Sequence, residues 1–121
     1  MTIALWISGI LLTIIYLLAG GMKVARTREA LQPQMAYVED FSAWQVKAIG
    51  ALELLGAVGV IVPLVTGIAP VVTGIAAVGL MLVQFGAIIE HTRRGEQNSL
   101  PVNLSLLLLA VAVAILRFAT L

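Results

Sequence analysis

Apolar positions form four long blocks along the chain, and short polar segments separate the blocks. They cover approximately residues 2–22, 45–63, 70–89 and 101–118. A membrane-spanning helix needs about 20 predominantly apolar residues, so each block is long enough to cross a bilayer. The pattern therefore predicts an all-α fold, a bundle of four transmembrane helices in which residues 1–121 form a single membrane domain.

Local signals place the boundaries of the second helix. Ser42 and Gln45 have the spacing of a capping box, which predicts a helix start at residues 44–45. Pro63 and the Thr66-Gly67 turn signal predict its end. The connector before it also contains three apolar residues at helical spacing, which predict a short helix in the headgroup layer: Met35, Val38 and Phe41.

The composition agrees with a protein that lies in lipid. Of the 121 residues, 61% are hydrophobic and 11% are charged, whereas about 25% are charged in a typical soluble domain. The net charge of +1 gives no electrostatic support to nucleic-acid binding. The chain has no cysteine and one histidine, so we predict neither a metal site nor covalent haem.

Basic residues are unevenly divided between the two ends of the predicted bundle. Six of the seven lie in or beside connectors 23–43 and 90–100, and only Arg117 belongs to the other end. Cytoplasmic segments of membrane proteins are enriched in Lys and Arg. We therefore expect both connectors in the cytoplasm and both termini on the outer side of a bacterial cytoplasmic membrane.

One carboxylate, Glu53, lies inside an apolar run of the second helix. A charge at the middle of a membrane helix costs about 2.5–3.5 kcal/mol on insertion scales, so Glu53 needs a partner, a proton or water. Lys23, at the end of the first helix, is the natural counter-ion because its long stem can fold inward. Helical spacing and depth place further polar residues near this acid. The predicted ligand-binding set is Glu53, Lys23, His91, Gln84, Asn103 and Tyr16.

Each of these residues also has a structural interpretation. Glu53 can serve as a buried ion pair that fixes helix register, and His91 can be a headgroup-level residue instead of a proton relay or quinone contact. Gln84, Tyr16 and Asn103 are often packing hydrogen bonds between membrane helices. A metal site built from Glu53, Glu90 and His91 is the least favoured alternative, and no motif predicts catalysis by this chain alone.

Several motifs, in this order along the chain, resemble the DoxX-like family of small membrane proteins. They lie at residues 19–23, 49–59 with Pro63, 76–80, 91–96, and 102–104 with Arg117. The resemblance implies a four-helix integral membrane fold. It also implies kinship with subunits of membrane oxidoreductases that act on sulfur compounds and quinone, or with membrane complexes tied to oxidative stress.

Three functions follow as hypotheses. The first is a membrane subunit whose polar pocket holds a quinone- or lipid-like ligand beside a redox partner or within a homo-oligomer. The second is a proton-coupled exporter of the small multidrug type, although that class carries its glutamate in helix one. The third is a purely structural subunit of a larger complex.

Overall fold

The computed structural model describes residues 2–121, and all regular elements in this range are helical. Four helices are long and apolar enough to cross a membrane, so the predicted all-α four-helix bundle is confirmed. A four-residue helix, α2, lies in the first connector. The helices are α1 (Thr2–Ala25), α2 (Arg28–Leu31), α3 (Ala43–Thr66), α4 (Val71–Arg93) and α5 (Leu100–Ala119).

The four long helices form a closed ring in which α1 and α4 each pack against α3 and α5. The core at the centre of the ring contains Leu12, Tyr16, Val60, Leu80 and Val113. The outer faces carry many exposed large apolar side chains. A water-soluble protein rarely exposes so continuous an apolar surface, whereas this is the surface that a membrane bundle presents to lipid.

The observed helices are longer than the predicted ones, and α3 differs most. It continues through Pro63 to Thr66 and ends at Gly67, whose φ of 72° is left-handed. Proline has no N–H to donate, and its ring crowds the carbonyl four residues earlier, yet the Gly67 N–H still donates to the Pro63 carbonyl over 2.9 Å. The predicted end at Pro63 was therefore wrong, and the Thr66-Gly67 turn signal, which was also predicted, marks the actual end of the helix.

The first connector, residues 26–42, folds over one end of the bundle. Its 3-10 helix, Ala36–Asp40, is the short helix expected from the apolar spacing. Val38 packs with Leu31 and Val46 in a small second core. The predicted capping box is present, because Ser42 and Gln45 exchange side-chain to backbone hydrogen bonds.

The second connector is shorter than predicted. Residues 90–93 form the last turn of α4, and a 3-10 helix, Gln97–Ser99, leads into α5. His91 consequently sits on a regular helix, which fixes the direction of its side chain. We call this end of the bundle, which carries both connectors, the connector end.

Candidate functional site

Lys23 and Glu53 form an ion pair between α1 and α3. The Lys23 Nζ atom lies 2.5 Å from Glu53 Oε1, and only 5% and 3% of the two residues are exposed. The two helices come close because Gly20 and Gly50, each about one turn before the charged residue on its helix, face each other. A Cβ atom on Gly50 would lie 2.6 Å from Lys23 Cβ and 2.8 Å from the Gly20 carbonyl oxygen.

A chain of buried hydrogen bonds connects α1, α4 and α5. The Tyr16 hydroxyl donates to Gln84 Oε1 over 2.8 Å, and Gln84 Nε2 donates to Asn103 Oδ1 over 2.9 Å. Asn103 is 6% exposed, and its Nδ2 atom has no hydrogen-bond partner within residues 2–121. An unpartnered buried donor is costly, so this amide has unused hydrogen-bonding capacity.

His91 and Tyr37 lie together between the helices and the first connector. Their rings meet edge to face with centroids 5.3 Å apart, and Lys23 Nζ lies 5.7 Å from the Tyr37 centroid. His91 Nδ1 is 2.8 Å from Glu96 Oε1. Burial raises the pKa of the Tyr37 hydroxyl above its ordinary value, so this phenol is a neutral hydrogen-bond donor near pH 7.

These groups line one cavity of about 390 Å³, which we call the pocket. Volumes of 300–1,000 Å³ are usual for small-molecule sites. All six residues of the predicted ligand-binding set lie on its wall. The structure adds polar and aromatic lining residues that the sequence analysis had not assigned to the ligand-binding set: Tyr37, Phe41 and Glu90.

Ion pairs fasten the first connector to the end of α4. Arg94 lies 3.0 Å from Asp40 and 3.3 Å from Glu96, and Arg93 lies 2.8 Å from Glu90. The hydrogen bond with His91, together with the Arg94 guanidinium, holds the pKa of the Glu96 carboxyl below its ordinary value. Single exposed pairs contribute little, but this network holds Tyr37 over the pocket.

The comparison with protein families identifies the chain. The model of the DoxX-like family matches residues 7–113. The protein belongs to the DoxX-like family. No curated protein and no solved structure matches it.

The family assignment and the four apolar helices together make this DoxX-like protein an integral membrane protein. Its pocket combines hydrogen-bond donors with apolar walls. Within residues 2–121, no three His, Cys, Asp or Glu side chains are grouped so that they could hold a metal ion. The arrangement is suited to binding a polar head group next to an apolar body, since the chain supplies donors at one end and aliphatic surface elsewhere.

Proposed function

We propose that this DoxX-like protein is a small membrane subunit that binds a quinone- or lipid-like amphiphile in the pocket. The observation that carries the proposal is the unpartnered, buried Asn103 amide on the wall of a cavity of about 390 Å³. A bound acceptor atom would satisfy that amide and recover the free energy that its burial costs.

The chemistry of the head group follows from the free donors. Lys23 has three ammonium hydrogens, and within the described residues 2–121 it forms one hydrogen bond, to Glu53. Asn103 Nδ2 provides a neutral donor, and so does the Tyr37 hydroxyl if it turns away from Met35 Sδ, a weak acceptor to which it donates over 3.9 Å. The positive charge of Lys23 is already balanced by Glu53, so the site favours a neutral acceptor, such as the carbonyl oxygens of a quinone, over an anion.

The proposal includes a redox partner. The chain lacks cysteine and has a single histidine, so its own side chains supply few ligands for an electron-transfer centre. A quinone bound here would exchange electrons with another subunit, in line with the oxidoreductase complexes that the family resemblance implies. The DoxX-like chain would then position the quinone and exclude water from its head group.

The ion pair argues against the exporter alternative. A proton-coupled exporter of cations needs a membrane carboxylate that exchanges a proton for its cargo. Glu53 is instead held by Lys23 on the neighbouring helix. The cationic cargo would have to displace a tethered ammonium group, which competes at high effective concentration.

The proposal is tested by identifying the molecules that co-purify with the protein. The protein is extracted in polymer-bounded nanodiscs, and its lipids, quinones and partner proteins are identified by mass spectrometry. We expect a carbonyl-bearing amphiphile at near-stoichiometric amounts in the wild type. Asn103→Leu should lower its amount about tenfold, because a hydrogen-bonding site that loses a partner commonly loses ~1–3 kcal/mol.

Ser105→Leu is the matched control, since Ser105 lies two residues away on α5 with an exposed side chain bonded to the Pro101 carbonyl. It should leave the bound amphiphile unchanged. Equal amounts of every lipid in wild type and Asn103→Leu, with both proteins folded, would contradict the proposal. If an amphiphile co-purifies but no redox subunit does, the binding function is supported and the redox partner is contradicted.

A further inference from the structure

Helices α3 and α4 are close together in the half of the bundle away from the connector end. Thr73 Oγ1 donates to the Val60 carbonyl over 2.9 Å. A Cβ atom on Gly56 would lie 2.6 Å from Leu80 Cδ2, and one on Gly59 would lie 2.9 Å from Ala76 Cβ. No amphiphile fits between the helices at this level.

Toward the connector end the same two helices both contribute side chains to the pocket wall. Leu52 on α3 and Leu82 on α4 are both pocket residues, yet 58% and 65% of their surfaces are exposed. Gly86, also on the pocket wall, is exposed, and a Cβ atom added to it would meet no atom within 4 Å. The pocket wall is therefore incomplete between α3 and α4.

This gap lies at the depth of the hydrocarbon. At a rise of ~1.5 Å per residue, Gly86 and Leu82 lie about 7.5 Å and about 13.5 Å deeper than His91. His91 is in the last turn of α4, near the charged residues of the connector end. The exposed side chains around the gap are apolar, so the medium outside it is lipid acyl chain.

The water side of the pocket is closed by the first connector. Tyr37 contacts both His91 and Phe41 edge to face, with ring centroids 5.3 Å and 6.3 Å away. Beyond them lies a second cavity of about 430 Å³ with a more polar lining. Three side chains line both cavities and form the partition between them: Tyr37, His91 and Asn103.

From this geometry we infer that the α3–α4 gap is a lateral portal, and that the ligand is an amphiphile with a long apolar tail. The ligand enters from the bilayer, its head reaches Lys23 and Asn103, and its tail leaves past Leu52, Leu82 and Gly86. The inference rests on the proposed function, and it adds the route by which the ligand enters and the long apolar tail that the ligand carries. A short, water-soluble head group without a tail would leave the portal unfilled.

The experiment uses photoaffinity labelling of the whole protein in phosphatidylcholine nanodiscs. The probe is a benzoquinone with a ten-carbon tail that carries a diazirine at mid-tail, and labelled positions are identified by peptide mass spectrometry. We expect labels on α3 and α4 around Leu52 and Leu82, which excess unlabelled decyl-benzoquinone removes. Labels concentrated around Tyr37 and the second cavity would overturn the portal.

Two glycine variants on one face of α4 complete the test. Gly86→Trp fills the portal and should lower the competed labelling about tenfold, the size expected from overpacking an occupied site. Gly79→Trp, two turns away, is the matched control, because Gly79 is equally open but does not line the pocket. Equal labelling of the two variants would overturn the portal.

The outcomes also separate this inference from the proposed function. If the wild type shows no competed labelling at any position, quinone binding itself fails, and the portal fails with it. If the wild type shows competed labelling that Asn103→Leu reduces but Gly86→Trp does not, the pocket binds quinone and the lateral route is wrong.

Discussion

Glu53 is a buried carboxylate inside an apolar helix, and its ion pair with Lys23 makes that burial tolerable. Removing one member of a buried pair leaves an uncompensated charge, whereas replacing both by apolar residues is often nearly neutral. Comparing the single and the double replacement therefore shows whether the ion pair itself stabilises the fold or has another role.

We predict strong coupling between these two residues. Lys23→Met should destabilise the bundle by about 3–5 kcal/mol, and the double variant Lys23→Met/Glu53→Leu should recover most of that loss. Denaturant-induced unfolding in mixed micelles measures both values in a double-mutant cycle. Lys47→Met is the control, since the exposed Lys47 bonds only to backbone carbonyls of residues 24 and 26.

A double variant as unstable as Lys23→Met would mean that the pair itself holds the helices together. A stable double variant that has lost the co-purifying amphiphile would instead assign the pair to ligand binding. The second result is what the proposed function requires, because the Lys23 ammonium is then a donor to the head group.

At the scale of elements, the crossing of α1 and α3 sets the position of the ion pair. Gly20 and Gly50 let the two backbones touch, and Lys23 and Glu53 each follow their glycine by three residues, on the same helix face. Gly50 packs against α1 and Gly56 packs against α4, so both glycines make contacts inside the bundle. Bulky residues there would therefore disturb the fold itself before any assembly with a partner.

Gly50→Ala should destabilise the protein by about 1–3 kcal/mol, because the new methyl group would overpack the α1–α3 contact. Gly21→Ala is the matched control on α1, since a Cβ atom there meets no atom within 4 Å. It should be neutral or stabilise by up to about 1 kcal/mol, through the higher helix propensity of alanine. Unfolding of both variants under the same conditions measures the difference, and equal stability would contradict the close approach.

Sequence patterns predicted the four long helices and the polar residues around Glu53, because burial in a membrane leaves few alternatives. A charged group in an apolar helix has to find a partner, so Glu53 and Lys23 could be paired from depth alone. Tyr37 could not be assigned in this way, since its position depends on how the connector folds over the bundle. Pro63 was misjudged because a proline removes one N–H donor and crowds the preceding turn, but leaves the N–H groups that follow it free to continue the helix to the Thr66-Gly67 turn.

At the scale of the whole molecule, charge is concentrated at the connector end. Six basic residues lie there: Lys23, Arg26, Arg28, Lys47, Arg93 and Arg94. All six acidic residues are also in this half of the bundle, in the connectors or on the adjoining turns of α3 and α4: Glu29, Glu39, Asp40, Glu53, Glu90 and Glu96. The net charge of this half is therefore zero, although its content of Lys and Arg is high.

Because the charges of this half cancel, the orientation of the protein in the membrane can show whether topology follows the number of Lys and Arg residues or the net charge. Topology follows the count of Lys and Arg near helix ends, and acidic residues contribute little. We therefore predict that the connectors face the cytoplasm, whereas a net-charge rule would weakly favour the opposite orientation, because the connector half is neutral and the other end carries Arg117. Because the chain has no cysteine, Glu29→Cys and Leu121→Cys each introduce a single thiol, one at each end of the bundle.

A membrane-impermeant maleimide should label Leu121→Cys in intact cells and Glu29→Cys only in everted vesicles. Labelling of both positions from both sides would show mixed orientation, as expected if the acidic residues cancelled the bias. Changing Arg26 and Arg28 to Gln removes two basic residues from the connector end, and partial mixing in that variant would connect the orientation directly to the Lys and Arg count. The orientation also decides which compartment faces the Tyr37 partition, and hence from which side a redox partner's soluble domain would reach the pocket.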